Sequence, residues 1–304
     1  MRISKYHGTG NDFVFVEDLD GRLDIPPAFV AAVCDRHRGV GGDGLIRVVR
    51  GDARGSDGAD FFMDYINAEG QPAEMCGNGI RCLAVYAYER DLTSKTELVV
   101  DTRDGLKRLW LDVADGRVRS VTVDMGPPAL ERAKIPMGGG DPTAHVTAEP
   151  LEAAGRTWRA SAVSMGNPHC VLFLDDAEDL AAMDVRGIGS EIEHLPLFPN
   201  RTNVEFVQVP DASRVRMRVW ERGVGETLAC GTGACAALVA SAVAGRAVRS
   251  ADVEVPGGLL RVEWREDDGR VYLAGPATFV FDADLSDEWA RAAGLSGVPT
   301  ATAS

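Results

Sequence analysis

The feature that most constrains the fold of this chain is an internal repeat of about half its length. The segment CGNG at Cys76–Gly79 recurs as CGTG at Cys230–Gly233, an offset of 154 in 304 residues. A Gly-Asn pair ending at Asn11 resembles another ending at Asn167, at an offset of 156. This period is much longer than that of a solenoid, so the repeat predicts two duplicated, pseudo-symmetric domains facing each other.

Short apolar or β-branched runs separated by Gly, Asp and Asn predict many strands at hairpin-like spacing. The runs are 13–16, 45–49, 61–66, 97–100, 118–123, 170–174, 203–209, 215–220, 259–264, 271–274 and 278–281. Predicted helices cover 26–37, 79–90, 233–245 and 284–293. The Gly/Pro-rich stretch 135–154 predicts a loop or extended excursion, and 295–304 a frayed tail.

These patterns predict an α+β protein. Each domain is expected to wrap a mixed or antiparallel sheet around a central helix, 79–90 in one and 233–245 in the other. Both helices are apolar over most of their surface, as enclosed helices are. We assign 1–123, with a return segment 276–304, to the first domain and 124–275 to the second.

Charge and composition indicate a cytoplasmic enzyme. Lys+Arg number 32 against 46 Asp+Glu, giving a net charge of −14, which disfavours nucleic acid and anionic lipid as partners. No apolar run is long enough to cross a bilayer, and the polar start of the chain does not resemble a signal peptide. Six cysteines are too sparse for a disulfide scaffold, so reduced thiols in a reducing compartment are expected.

Cys76 and Cys230 each precede a Gly-x-Gly segment at the start of a predicted helix. Exposed amide N–H groups at such a helix end bind a carboxylate and stabilise a thiolate. Across a cleft, one thiolate would remove a proton from carbon and the opposite thiol would return one. Two facing acid/base sulfurs therefore favour inversion of a stereocentre.

Other interpretations of the cysteines are open. A single buried cysteine is usually a small core residue. Zinc is a rival for Cys76 with Cys82 and for Cys230 with Cys235, but the spacings are not CxxC and the intervening residues are helical. We expect no metal and assign Cys82 and Cys235 to the core. Cys34 and Cys170 also read as structural.

Several long motifs resemble those of one family, the diaminopimelate epimerases. They are KYHGTGNDF (Lys5–Phe13), NAEGQPAEMCGNGIRC (Asn67–Cys82), VSMGNPHCV (Val163–Val171), FPNRTNVEF (Phe198–Phe206) and ERGVGETLACGTGAC (Glu221–Cys235). The resemblance implies cofactor-independent conversion of LL-2,6-diaminopimelate to the meso form, for lysine and peptidoglycan synthesis, by a homodimer. Cys76 and Cys230 match the two catalytic cysteines of the family.

The resemblance also implies a set of site residues. Those matching substrate-binding positions are Asn11, Asn67, Gly77, Asn78, Asn167, Asn203, Glu221, Arg222, Gly231 and Thr232. His169 and Glu221 match residues that tune the thiols. On their own, such residues have plainer explanations: Asn as a turn residue, Glu221-Arg222 as a surface pair, His169 as a structural histidine. Some relatives carry a side-chain amide where this chain has Gly44, so no contact is transferred there.

Two further functions are weighed. One is an epimerase or isomerase of the same fold acting on another amino acid, such as a hydroxyproline. Arg222 and the asparagines argue instead for a substrate with a second polar head, which a cyclic imino acid lacks. The other is a redox-sensing or binding module with paired thiols, which predicts a disulfide cycle and no solvent exchange at a substrate carbon.

Overall fold

The computed structural model describes residues 1–175 and 177–295. Its strands are β1 (Arg2–Gly8), β2 (Asn11–Glu17), β3 (Gly44–Arg50), β4 (Phe61–Asn67), β5 (Glu97–Thr102), β6 (Gly105–Ala114), β7 (Arg117–Gly126), β8 (Glu149–Ala153), β9 (Arg156–Ser164), β10 (Pro168–Phe173), β11 (Asn203–Asp211), β12 (Arg214–Glu221), β13 (Gly225–Thr227), β14 (Ser250–Val255), β15 (Gly258–Trp264), β16 (Val271–Gly275) and β17 (Thr278–Asp284). Its α-helices are α1 (Pro27–Cys34), α2 (Gly51–Arg54), α3 (Gly77–Glu89), α4 (Val185–Glu193), α5 (Gly231–Val243) and α6 (Asp287–Ala292).

The chain divides into two compact units. The first contains residues 1–123 and, among the described residues, 276–295; the second contains 124–275. In the first unit the strand order is β17-β1-β2-β3-β4-β5-β6-β7. The β2–β3 and β4–β5 pairs are parallel and the other pairs are antiparallel. Helix α3 packs against β1, β2, β3, β4, β6 and β17.

The second unit repeats this arrangement strand for strand. Its order is β8-β9-β10-β11-β12-β14-β15-β16, with β10–β11 and β12–β14 parallel and the other pairs antiparallel. Short strand β13 adds to β12. Helix α5 packs against β9, β10, β11, β12, β14, β15 and β16. The predicted α+β fold, two pseudo-symmetric halves each built around a central helix, is confirmed.

Both central helices are enclosed because nearly every side chain on them is apolar or small. In α3 each residue from Gly77 to Ala87 is buried, and in α5 the buried residues run to Ser241 with Thr232 as the exception. Cys82 and Cys235 are fully buried inside these helices, as the core assignment predicted. Cys34, on α1, and Cys170, on β10, are also buried, in agreement with a structural role.

The structure corrects several boundaries. The stretch 135–154 is not a loop throughout, because β8 occupies Glu149–Ala153 and pairs with β9, which the sequence pattern missed. Pro150 within β8 obscured it, although proline is tolerated on an edge strand. Helix α1 ends at Cys34, since the Asp35 carboxylate accepts from the backbone N–H groups of His37 and Arg38 and forms a turn.

Strands β1, β6, β9, β13 and β14 and helices α2 and α4 were also missed. Helix α6 begins three residues later than predicted, at Asp287, because the Ser286 hydroxyl accepts from the Trp289 N–H and caps it there. Of the tail predicted to fray, Leu295 is buried at 5% exposure, and the remainder lies outside the described residues. Within the described part of the chain, none of the helices combines the length and apolar character needed to cross a bilayer.

Candidate active site

In the first unit the candidate site forms at the N-terminus of α3. Cys76 is the N-cap residue, in an extended backbone conformation, and its Sγ accepts from the Gly79 N–H at 3.4 Å. Gly77 and Asn78 form the first turn and are buried, whereas Cys76 is half-buried. The sulfur therefore lies at the positive end of an enclosed helix, where a thiolate or a carboxylate is stabilised.

Asn11, at the start of β2, lies beside this thiol. Its Oδ1 accepts from Cys76 Sγ at 3.5 Å and from Asn78 Nδ2 at 3.1 Å. Its own Nδ2 donates to Asp43 Oδ2 at 2.6 Å. The structure thus brings together Cys76, Asn11 and Asn78, three residues that the sequence placed in one site, and fixes the direction of the Asn11 amide.

A partly buried ion network holds Asn11, and sequence reasoning missed it. Asp12 pairs with Lys5 at 2.6 Å and with Arg36 at 2.7 Å, while Arg36 also pairs with Asp43 at 2.7 Å. Burial of Asp12 opposes ionisation, but hydrogen bonds from Arg36 and Lys5 outweigh it and lower its pKa to about 2. Lys5 and Asp12 stand within the motif KYHGTGNDF, which was the available signal.

Buried Arg81 on α3 is a second residue that sequence reasoning missed. Its Nη1 donates to the Gly77 carbonyl oxygen at 2.9 Å and its Nη2 to Asn78 Oδ1 at 3.0 Å. These bonds fix the peptide and the amide that flank the thiol. Its place in the motif CGNGIRC was the only sequence sign.

Asn67 ends β4, and its side chain shapes the following turn. Its Oδ1 accepts from the Gln71 N–H at 2.8 Å. In the neighbouring strand β3, Gly44 lies opposite Asn67 in the register. A Cβ atom at Gly44 would lie 2.6 Å from the Ile66 carbonyl oxygen, so this backbone leaves no room for a side chain at position 44.

In the second unit the matching site forms at the N-terminus of α5. Cys230 is the N-cap residue and is 6% exposed. Its Sγ lies 3.5 Å from the Thr232 hydroxyl, which accepts from Asn167 Nδ2 at 3.3 Å. Gly231, between the cysteine and the threonine, is buried. Cys230, Thr232 and Asn167 therefore repeat the grouping of thiol, first-turn residue and asparagine.

Burial and one neighbouring carboxyl group set the protonation of Cys230. Glu221, at the end of β12, accepts from the Thr227 hydroxyl and hydrogen-bonds to the Cys230 thiol. Burial, followed by the nearby charge of Glu221, raises the pKa of Cys230 well above its ordinary value. Burial likewise raises the pKa of Glu221. A proton therefore resides on this thiol–carboxyl pair around neutral pH.

Asn203 and Arg222 lie together at the ends of β11 and β12. Asn203 is 3% exposed; its Nδ2 donates to the Pro168 carbonyl oxygen at 2.9 Å, and its Oδ1 accepts from the Arg222 N–H at 2.9 Å. Glu193, which the sequence did not reveal, accepts from the Gly223 N–H at 2.9 Å. These contacts fix the backbone of the turn that carries Arg222.

His169 lies at the start of β10 with a partner that the sequence did not reveal. Its Nδ1 is 2.6 Å from Glu205 Oε1 and its Nε2 is 2.9 Å from Asn167 Oδ1. Both His169 and Glu205 are fully buried. Glu205 belongs to the motif FPNRTNVEF but looked like an ordinary strand charge. Within residues 1–175 and 177–295, no cluster of three or more His, Cys, Asp or Glu side chains is placed to hold a metal ion.

Comparison with known proteins places this site in a family. The family model described as diaminopimelate epimerase matches residues 3–131 and 161–280. A diaminopimelate epimerase of Moorella thermoacetica is 49% identical over 94% of this chain and 99% of its own length. One from Desulforudis audaxviator is 49% identical over 96% of this chain and 100% of its own.

Solved structures show the same fold at low identity. A probable proline racemase from Agrobacterium radiobacter K84, solved with bound carbonate, superposes with a TM-score of 0.68 at 14% identity, covering 95% of each chain. The curated relatives match along nearly the whole chain, through both Cys-Gly-x-Gly segments. The chain therefore belongs to the diaminopimelate epimerase family.

Proposed function

We propose that this protein is an isomerase that converts LL-2,6-diaminopimelate to the meso form without a cofactor, with Cys76 and Cys230 as its two acid/base groups. The main support is a repeated arrangement: in both duplicated units a cysteine is the N-cap residue of the enclosed helix. It is hydrogen-bonded to an asparagine directly in the first unit and through Thr232 in the second. The names of relatives 49% identical over nearly the whole chain supply the substrate.

The chemistry needs a base on one face of the α-carbon and an acid on the other. One sulfur, as thiolate, removes the α-hydrogen as a proton and becomes a thiol. The other sulfur, as thiol, delivers its proton to the opposite face and becomes a thiolate. The carbanion formed between these steps places charge on the α-carboxylate, which helix N–H groups at Gly77 and Gly231 stabilise.

The charge around Cys230 supports its role as the acid in one direction. Its pKa is raised by burial and by the nearby Glu221 carboxyl group, so the sulfur carries a proton ready for transfer. Glu221, hydrogen-bonded to this thiol, accepts the thiol proton in a preceding step and so forms the thiolate that Cys230 needs to act as the base in the other direction. Cys76, at the end of α3 beside amide groups, suits the thiolate form.

The polar side chains of the site suit a substrate with two amino-acid ends. Arg222 and asparagine amide groups bind carboxylates, while Glu221 and asparagine carbonyl oxygens bind ammonium groups. Asn11, Asn67, Asn78, Asn167, Asn203 and Thr232 are proposed to share this work. We assign the reaction to lysine and peptidoglycan biosynthesis in the cytoplasm, where thiols stay reduced.

A homodimer is part of the proposal, and strand β17 supports it. Phe279, Val280 and Phe281 on this strand are 42%, 49% and 39% exposed. In the described part of the chain β17 pairs only with β1 and so ends the sheet of its unit. An exposed apolar edge strand is a ready template for pairing with a second copy.

The direct test is turnover. Purified protein is incubated with LL-diaminopimelate, and separately with L-proline and trans-4-hydroxy-L-proline, and the stereoisomers are separated by chiral chromatography. We expect the meso isomer from the first substrate alone.

Cys76→Ala and Cys230→Ala should each lower the rate ~10²–10⁴-fold, since each removes a general acid/base group. Cys34→Ala, at a buried structural cysteine, is the control and should turn over nearly normally. Inversion of proline substrates only would assign another epimerase activity.

A further inference from the structure

A series of hydrogen-bonded side chains leads from a buried carboxyl group to the Cys230 thiol of the second unit. Glu205 Oε1 lies 2.6 Å from His169 Nδ1, and His169 Nε2 lies 2.9 Å from Asn167 Oδ1. Asn167 Nδ2 donates to the Thr232 hydroxyl at 3.3 Å, and this hydroxyl lies 3.5 Å from Cys230 Sγ. Glu205 is the member of this series farthest from the thiol. Neither the family motif nor the mechanism above assigns it a role.

The positions of the protons in this series follow from its geometry. With the Asn167 amide oriented as in this structure, His169 Nε2 faces a carbonyl oxygen and therefore carries a proton and donates a hydrogen bond. One further proton lies between His169 Nδ1 and Glu205 Oε1. The pair is then either an imidazolium with a carboxylate or a neutral imidazole with a carboxylic acid, and its net charge is zero in both cases. Both residues are fully buried, and burial favours the form in which each group is neutral.

Two further observations favour a protonated Glu205 that donates to His169. Burial raises the pKa of this carboxyl group. Among the described residues Glu205 Oε2 has no hydrogen-bond partner, which is far more costly for a carboxylate than for a carboxylic acid. Glu205 therefore acts on the imidazole as a hydrogen-bond donor that keeps the ring proton on Nε2.

The first unit lacks this arrangement at the equivalent positions. There Phe13 lies next to Gly44 in the register, where the second unit has His169 next to Asn203. A Cβ atom at Gly79 would contact Ile46 and Phe13, whereas one at Gly233 would lie 2.9 Å from Glu205 Oε1. Ile46 and Phe13 thus stand where the second unit places Glu205 and His169. The acid–imidazole pair belongs to one half of the duplicated fold alone.

We propose that Glu205 is a positioning residue: by holding His169 with its proton on Nε2, it fixes the amide of Asn167. The Asn167 carbonyl is then turned inward to the imidazole, and its NH₂ group is kept toward Thr232 and the Cys230 thiol. The proposal rests on the proposed function, in which Asn167 binds the substrate. Without the Glu205 donor the imidazole changes tautomer, and the Asn167 amide loses its fixed direction.

The first test uses two variants at one position. In Glu205→Gln the new amide NH₂ donates to His169 Nδ1 as the carboxylic acid does, so kcat/KM for diaminopimelate should stay within roughly threefold of wild type. In Glu205→Met the donor is lost at similar size, and kcat/KM should fall roughly ten- to hundredfold, mainly through KM. Ser241→Ala, at a buried polar residue of α5 whose hydroxyl donates to the Ala237 carbonyl oxygen, controls for general loss of stability.

A second readout does not depend on turnover. In ¹⁵N-labelled protein the His169 ring, assigned by its loss in His169→Gln, should carry a proton on Nε2 in wild type and in Glu205→Gln. In Glu205→Met this proton should no longer be confined to Nε2. An unprotonated Nε2 in wild type, a Met variant that matches wild type, or a Gln variant as impaired as the Met variant would each overturn the proposal. Wild-type protein that fails to epimerise diaminopimelate but shows the expected tautomers would reject only the proposed function.

Discussion

At the scale of single residues, position in the fold separates the cysteines more than sequence context does. Cys34 lies on α1, a helix of apolar residues only, and burial raises its pKa to about 12. Burial also raises the pKa of Cys82 and Cys170. Only Cys76 and Cys230 cap helix N-termini, and each has an asparagine in its hydrogen-bonded group. The reactive thiols are therefore distinguished by helix ends and neighbouring amides.

The Asp12 network predicts a specific pH dependence of stability. The folded-state pKa of Asp12 is about 2, below the value of ~3.9 expected when unfolded, so its ion pairs stabilise the protein fully above about pH 4. Solvent screening at the half-exposed Arg36 limits this contribution to roughly 1 kcal/mol, and it is lost as the pH falls toward 2. The free energy of unfolding of Asp12→Asn, measured by urea titration from pH 7 to pH 2.5, should approach that of wild type as the pH falls.

Asp20→Asn is the matched control for this measurement. The Asp20 side chain is 65% exposed and pairs with Arg22 at 3.4 Å, so its loss should change stability by under about 1 kcal/mol at every pH. A difference between wild type and Asp12→Asn that stayed constant down to pH 2.5 would show that the network does not lower the pKa of Asp12.

At the scale of elements, the two helix N-termini are built alike but packed differently. A Cβ atom at Gly79 would lie 2.8 Å from the Cδ1 atom of Ile46, a flexible apolar end. A Cβ atom at Gly233 would lie 2.9 Å from Glu205 Oε1 and 3.2 Å from the Cβ atom of Cys230. Glu205 is fully buried and hydrogen-bonded, so it has less room to move.

This difference predicts unequal effects of one substitution. Gly233→Ala should destabilise the protein by ~1–3 kcal/mol through overpacking. Gly79→Ala should change stability by less than about 1 kcal/mol, since Ile46 can shift and alanine favours the helix. The midpoint of thermal unfolding of the two variants gives the comparison. A larger drop for Gly79→Ala than for Gly233→Ala would contradict the packing described for these helices.

The sequence was most informative where one pattern dominated an element. The apolar surfaces of α3 and α5 predicted both central helices, and β-branched runs predicted strands such as β3, β4 and β11. Helix α4 escaped because its sequence VRGIGSEIE contains two glycines, and only Asp184, which accepts from the Gly187 N–H, fixes its start. Strand β9 begins with RTWR, an arginine-flanked start that weakens the apolar signal.

The site was predictable to the extent that its chemistry lies in distinctive residues. The structure brings Asn11 and Asn78 to Cys76, and Asn167 and Thr232 to Cys230. Their substrate contacts stay predictions. Residues that hold the site residues in place, such as Asp43, Glu193 and Glu205, were not predictable, because a charged side chain in a strand or loop usually faces water. Only the folded structure shows that each is tied to a site residue.

At the scale of the whole molecule, the two duplicated units share one strand order but differ in the side chains that pack against the helix N-termini near the thiols. Both units share one sequence of parallel and antiparallel pairs. Phe13 and Ile46 line the helix start in the first unit, whereas His169 and Glu205 do so in the second. Such unequal surroundings suit a reaction whose two sulfurs must begin each turnover in opposite protonation states.

The exposed strand β17 predicts the oligomeric state. Wild type should be a dimer at micromolar concentration, because association would cover Phe279, Val280 and Phe281. Val280→Lys places a charge on this edge and should yield monomers with an unchanged fold, since the Val280 side chain is 49% exposed. Light scattering after size-exclusion chromatography measures the mass. Asp57→Lys, at an exposed position in the loop before β4, a strand inside the sheet and not at its β17 edge, is the control. A wild-type monomer, or a Val280→Lys dimer of unchanged affinity, would refute this interface.

The most direct test of the two-thiol account is the fate of hydrogen at the α-carbon in heavy water. A cysteine thiol exchanges its proton with solvent before turnover, so the sulfur that delivers a proton to the product should deliver deuterium. We expect the first meso-diaminopimelate formed from the LL isomer to carry deuterium at the inverted carbon, while LL substrate recovered at the same early time carries little. Mass spectrometry and proton NMR of the separated isomers measure both. Deuterium appearing equally early in recovered substrate and product, or the original hydrogen retained in the product, would contradict a reaction between two thiols.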